Sequence, residues 1–209
     1  MNIEIGRTEA NKDLPFIQWL ERLPDVLSML DRGKNILFLR SCCERLYGNY
    51  LEFQSETGWG SADILCRAIG YLIPQSPLEE NFIYELQGAV AKITPNSEDF
   101  DCSYTSAALD AANAVEEALA YCIDGNVSHC LQVACLCRDS IYMFVQQRDD
   151  LDYTDEEERR IYSDSLMSRE LAHQDADVRS LQTSSQEIPD RFLRLFADCC
   201  NPANASLRT

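Results

Sequence analysis

Residues 36–60, ILFLRSCCERLYGNYLEFQSETGWG, constrain the fold more tightly than any other stretch of this chain. At the helical repeat of about 100° per residue, Leu39, Cys43, Leu46, Tyr50 and Phe53 share one face, while Leu37, Phe38 and Leu51 point elsewhere. A helix that is apolar on several sides has neighbours on several sides, so this segment is expected at the centre of the molecule. Glu44, Arg45 and Asn49 are embedded in it, and charged side chains are rarely buried unless paired.

The remaining pattern is also helical. Pro15 suits a first helical turn, and Phe16, Trp19, Leu20, Leu23, Leu27 and Leu30 recur at threes and fours, with Pro24 expected to kink or split the helix. Gly33 marks a stop, and the central helix is expected from about Lys34 to Thr57, with a bend at Gly48 and a left-handed cap at Gly58. Ser61 or Asp63 then opens a helix carrying Ile64, Leu65, Ala68, Ile69, Leu72 and Ile73, ended by Pro74 and Pro77. Leu78, Phe82, Leu86, Ala89, Val90 and Ile93 form the next stripe, closed by Pro95. After the acidic link PNSEDFDC, with Asp99 or Asp101 as a possible cap, an alanine-rich helix is expected over 104–123, where small side chains permit close approach of a neighbour. Asp124-Gly125-Asn126 breaks the chain before a helix with Val127, Leu131, Ala134, Ile141 and Val145 inside. A helix from Thr154 to about Leu181, a polar link and a short helix over 188–196 complete the reading. No strand-like alternation competes, so the fold class is all-α, a single-domain bundle of about seven helices over 14–198, with a frayed 1–13 and an irregular tail at 199–209.

The chain carries a formal net charge of -17, which opposes direct nucleic-acid binding, because phosphate contacts draw on clusters of Lys and Arg. Its apolar runs are far short of the roughly 20 residues that cross a bilayer, and MNIEIGRTEANKD lacks a signal pattern, so no membrane association and a cytoplasmic location are expected. Ten cysteines raise the question of a metal, but Cys42-Cys43 and Cys199-Cys200 are vicinal, Cys135 and Cys137 enclose one residue, and no pair of CxxC knuckles forms. They are read as small core hydrophobes. His129 and His173 fall on different helices without a partner at ligand spacing, and no glycine-rich phosphate loop or nucleophile elbow is present. No cofactor and no bound metal are therefore expected.

The densest charge cluster is DDLDYTDEEERR. Asp150 and Asp152 look like the start of a calcium loop, but the sixth position is Asp155 where glycine is needed and the twelfth is Ile161 where glutamate is needed. Thr154 with Glu157 is instead a capping box, and acids in a first turn complement the helix dipole.

The central segment also carries a family likeness. CERLYGNYLEFQSETGWG, then a helix, PNSEDFD and an alanine-rich helix resemble the YjaG-like family of bacterial proteins, the domain of unknown function four-sixteen, in order from about Leu20 to Leu181. Gly48, Ser61 and Pro74 depart from the residues expected at those places. The resemblance implies an all-helical cytoplasmic bacterial protein and supplies no reaction; a link to histidine-kinase signalling is suggested for the family from gene neighbourhoods alone.

These observations favour a non-enzymatic protein that binds a protein partner, basic in character, in the bacterial cytoplasm, as an immunity-type antagonist of a toxin or a signalling adaptor. The expected contact is the acidic run Asp149, Asp150, Asp152, Asp155, Glu156, Glu157 and Glu158. A polar cluster of Glu44, Arg45, Asn49, Asp99, Asp101 and Asp110 is read as a buried ion-pair network. The alternative is a metal-dependent enzyme using Glu44 and the acids between Asp99 and Asp110. Homodimerisation through an uncovered apolar helix face is a further possibility.

Overall fold

The computed structural model describes residues 13–74, 79–152 and 154–183, and its regular elements are all helical. They are α1 (Pro15–Ser28), α2 (Arg32–Thr57), α3 (Ala62–Tyr71), α4 (Glu80–Ala91), α5 (Thr105–Asp124), α6 (Ser128–Asp149), α7 (Asp155–Tyr162) and α8 (Ser165–Thr183). The expected short helix over 188–196, the frayed start up to residue 12 and the tail at 199–209 lie outside the described residues. No helix among the described residues is long and apolar enough to cross a membrane.

The 26-residue α2 is the axis of the bundle. It packs against α3, α5, α6 and α8, and Ile36, Leu37, Phe38 and Leu39 are all buried although successive residues point about 100° apart. Asp31 starts it by accepting a hydrogen bond from the Lys34 amide at 2.9 Å, and Gly58 ends it in the left-handed region with φ 69°. The helix runs unbroken through Gly48. On one flank the alanine-rich α5 lies against both α2 and α6, with Ala108, Ala111, Ala112, Ala114 and Ala118 buried at the contacts. α4 packs on α5 and α3, α1 on α6 and α8, and α7 on α6 and α8.

Three local expectations differ from the structure. Of the kink or split expected at Pro24, the split does not occur: α1 is continuous there, with Leu20 and Leu23 before the proline and Leu27 after it fully buried against the bundle. Neither Asp99 nor Asp101 caps α5, whose N-cap position is Tyr104 and carries no side-chain cap. The expected single helix from Thr154 to Leu181 is two, which raises the total from about seven to eight among the described residues. The break falls at Ser163-Asp164: the Ser163 hydroxyl donates to the Arg159 carbonyl at 2.8 Å, and Asp164 accepts from the Leu166 amide at 2.8 Å. Short polar side chains that bond their own backbone compete with helix continuation. The capping box at the start of α7 is as expected, with Thr154 accepting from the Glu157 amide and donating to the Glu157 carboxylate at 2.6 Å.

One end of the bundle is closed by aromatic side chains. Phe53, Trp59 and Phe100 meet with ring centroids 5.1–6.1 Å apart, and the Tyr50 hydroxyl donates to the Ile93 carbonyl at 2.6 Å. Gly60 lies directly over Tyr50 at φ 84°, and a Cβ placed there would collide with the tyrosine oxygen. Gly60→Ala is therefore expected to cost about 1–3 kcal/mol from the backbone alone, with the displaced Tyr50 hydrogen bond adding to it. Urea unfolding measures this, and a variant as stable as the parent would contradict the packing described.

Candidate functional site

The buried polar residues of α2 are gathered with residues far downstream that no local pattern connects to them. Arg45 is the hub. Its Nε donates to Glu170 Oε2 and its Nη2 to Glu170 Oε1, both at 2.8 Å, a two-pronged pairing. Its Nη1 donates to Asp177 Oδ2 at 2.9 Å and to the Ser41 hydroxyl at 2.8 Å, and Ser41 in turn donates to the same Asp177 oxygen at 2.7 Å. Gln174 donates to Glu170 Oε1 at 3.0 Å and to the Ala134 carbonyl at 3.3 Å, and accepts from the Trp19 indole at 3.0 Å. One network thus joins α1, α2, α6 and α8. Burial would strip the proton from Arg45, yet Glu170, Cys42 and Asp177 together hold the guanidinium charged, well above its ordinary range.

The helical period explains the α8 contribution. Glu170, Gln174 and Asp177 stand four and three residues apart, so their side chains line one face of α8, the face turned to α2 and α6. Sequence reading singles out Arg45 but passes over its partners. The available signal is that four-and-three spacing of polar residues on the same side as Leu166, Met167, Val178 and Leu181, which are buried.

The other expected members of the polar cluster keep different company. Glu44 pairs with Arg40 one turn earlier, at 2.6 Å, with both side chains buried. Burial raises the Glu44 carboxyl, against the hydrogen bond and charge of Arg40, and its other charged neighbours are Arg45 and Asp177. Asn49 is fully buried and donates to the Ser140 hydroxyl of α6 at 3.3 Å. Asp110 is half-buried on α5, and its carboxyl is pushed up to about 8, first by burial and then by the Asp139 carboxylate of α6. Asp139 itself is held by Arg138 at 2.6 Å. Asp99 and Asp101 are exposed in the loop between α4 and α5. The structure therefore joins Glu44 and Arg45 in one charged region and places Asp110 beside Asp139, with Asp99 and Asp101 outside both.

Two expectations about metal-ligating residues need correction. The cysteine spacing suggests no usable donor geometry, but the fold brings Cys42, Cys137 and Glu170 together with their donor atoms within 4.8 Å of one another, all buried. What occupies that cluster is the guanidinium of Arg45, which takes both Glu170 oxygens and approaches the Cys42 sulfur at 3.3 Å. A metal there would have to displace one cation with another and deprotonate Cys137, whose thiol is raised by the hydrogen bond to Cys42 and by burial. The described cysteines are free and mostly buried, and burial pushes Cys122 and Cys135 up to about 11, which fits core packing. His129 is also not isolated: the turn after α5 sets it between Glu117 at 2.5 Å and Asp124 at 3.1 Å. Burial lowers its pKa, but the two carboxylates outweigh that and the net direction is up.

At the α6–α7 corner, Asp149 is tied to Arg148 at 2.8 Å and Arg160 at 3.2 Å, Glu157 is used in the capping box, and Glu158 is half-buried. Asp150, Asp152, Asp155 and Glu156 are exposed, with Asp150 in left-handed backbone at φ 51°. A groove of about 320 Å³ lies between α1 and α8, with Trp19 and Arg22 on one wall and Leu171 and Arg179 on the other.

Comparison with known proteins places this architecture. The chain is 26% identical over 135 residues to the uncharacterized protein YjaG of Escherichia coli strain K12, covering 63% of this chain and 68% of that protein. It is 24% identical over 177 residues to the YjaG of Salmonella typhimurium strain LT2, covering 83% of this chain and 81% of that protein. A crystal structure of a DUF416 family protein from Shewanella baltica OS155 superposes with a TM-score of 0.76 at 18% identity, over 88% of this chain and 96% of that one, and so shares the fold. The profile described as protein of unknown function (DUF416) matches residues 23–200, and the chain belongs to that family.

Proposed function

We propose that this protein acts by binding a protein partner through exposed charge, without catalysis, and that it does so in the bacterial cytoplasm. The supporting observation is the fate of its polar residues: Arg45, Glu170 and Asp177 pair with one another inside the bundle, while Asp150, Asp152, Asp155 and Glu156 are exposed on the segment that joins α6 to α7 and in the first turn of α7. In a chain of net charge -17 that corner selects a basic surface, by steering its approach and penalising acidic competitors. An immunity-type antagonist of a basic toxin and a signalling adaptor are the two forms such binding would take.

The test is capture from native cytosol on the immobilised full chain, at low and at high salt. A partner retained at low ionic strength is expected to be released as the Debye length falls to about 3 Å near 1 M. It is also expected to be lost when Asp150, Asp152, Asp155 and Glu156 are changed to Lys, and kept when the exposed Glu85 of α4 is changed to Lys. Recovery of no salt-sensitive partner, or of one indifferent to the fourfold change, would overturn the proposal.

A further inference from the structure

Helices α5 and α6 make the most extensive helix pairing among the described residues, yet the turn that joins them is exposed at Asp124, Asn126 and Ser128. Asp124 Oδ1 accepts from the Asn126 amide at 2.7 Å, Asn126 Oδ1 accepts from the Ser128 amide at 3.0 Å, and α6 opens at Val127 with no side-chain cap. The other Asp124 oxygen is taken by a ring from the first turn of α6: His129 Nε2 lies 3.1 Å from Asp124 Oδ2, and His129 Nδ1 lies 2.5 Å from Glu117 Oε2. A carboxylate oxygen only accepts, so each ring nitrogen that meets one carries a hydrogen, and a ring making both contacts is the imidazolium. Its two nitrogens face apart, so one metal ion cannot reach both; the species that fits is a proton.

We propose that His129 is a proton-operated latch on the α5–α6 turn: the doubly protonated ring bridges Glu117 and Asp124, and loss of one proton frees Asp124 and loosens the turn while the ring stays on Glu117. A ring left with one proton keeps the shorter contact, which is the one to Glu117. The Asp124 side chain is the more exposed, 49% against 32% for Glu117, so water replaces its lost bond the more readily. Once released it is free to rotate off the Asn126 amide, which carries the change into the backbone of the turn. Arg32 of α2, which donates to the Cys122 carbonyl, also acts on Asp124, and Glu116 is a second acid beside Glu117. The Tyr121 hydroxyl and the Cys122 and Cys130 thiols near the turn are raised by burial and stay neutral while the ring titrates. Burial works against the imidazolium, but the Glu117 and Asp124 carboxylates outweigh it, so the folded ring titrates above its ordinary 6.5. The latch therefore holds fully below that value and opens as pH rises through the folded one. It sits at the opposite end of α6 from the acidic residues that face a partner, and is independent of them.

The experiment follows the histidine ring nitrogens of the full chain by NMR from about pH 5 to about pH 9, together with amide exchange at Asn126 and Ser128 corrected for base catalysis. The chain has two histidines, so the resonance lost in His129→Gln is assigned and His173 serves as the comparison. His129 is expected to titrate above 6.5, to retain the Nδ1–H tautomer when it loses its proton, and to take exchange protection at Asn126 and Ser128 with it. Asp124→Asn keeps an oxygen for the Asn126 amide but no charge for the ring, and is expected to make that protection independent of pH. Glu117→Gln is expected to move the titration down and to shift the retained hydrogen to Nε2. Titration at or below 6.5, an Nε2–H tautomer in the parent protein, or turn amides indifferent to the titration would each overturn the assignment.

Discussion

Replacing Arg45 with methionine is expected to destabilise the protein by about 3–5 kcal/mol, the cost of leaving buried charge without its counter-ion. Glu170 and Asp177 are 3% and 0% exposed, and both are paired with this guanidinium. Neither can turn to water, and Gln174 supplies Glu170 with a dipole but no compensating charge. The same reasoning makes a second, opposite prediction: changing Arg45, Glu170 and Asp177 together to apolar residues of similar volume removes the charges along with their pairing, and is expected to recover most of the loss. Denaturant unfolding of both variants decides the matter. A single Arg45→Met variant that loses under about 1 kcal/mol would show that the network is solvated and that α8 docks by its apolar residues alone.

Asp110→Asn is expected to stabilise the protein at alkaline pH. The direction follows from linkage. The Asp110 carboxyl rises from an ordinary 3.8 to about 8 in the folded protein, because burial and Asp139 both disfavour its charge. Between those two values the folded state holds a proton that the unfolded chain has released, so stability falls as pH rises through that window and levels off above about 8. A tenfold change in proton affinity corresponds to about 1.4 kcal/mol, and the partial exposure of Asp110 reduces the total to a few kcal/mol. Asparagine carries no proton to lose. The variant and its parent should therefore have similar unfolding midpoints near pH 4 and diverge toward pH 8, with asparagine the more stable. Parallel pH profiles would mean that Asp110 is solvated and that its nearness to Asp139 is harmless.

The two residues illustrate how differently charge is handled within one fold. Around Arg45 the chain supplies counter-charges from 125 and 132 residues away, and the network fixes the docking of α8. At Asp110 it supplies a second carboxylate, and the α5–α6 contact is held by alanine packing at the expense of that repulsion.

What the sequence determined by itself follows from local periodicity. The all-helical class, the central place of residues 36–57, the left-handed cap at Gly58, the break at Gly125 and the capping box at Thr154 are each set by side chains within a few turns of one another, where spacing dictates geometry. Glu44 and Asn49 were legible as buried for the same reason, since apolar residues surround them on the helix, while Arg45 beside them keeps its side chain partly exposed. Only the tertiary structure decided what those residues meet. Glu170, Gln174 and Asp177 show in the sequence only that they share the apolar side of their helix, and not what they pair with, because the arginine that claims the two acids lies 125 and 132 residues away from them. The Cys42, Cys137 and Glu170 cluster and the Glu117, Asp124 and His129 group likewise arise from how helices and turns are docked. Pairing across helices depends on their relative rotation and depth, and those are settled by the whole core closing at once, a quantity that no single segment encodes.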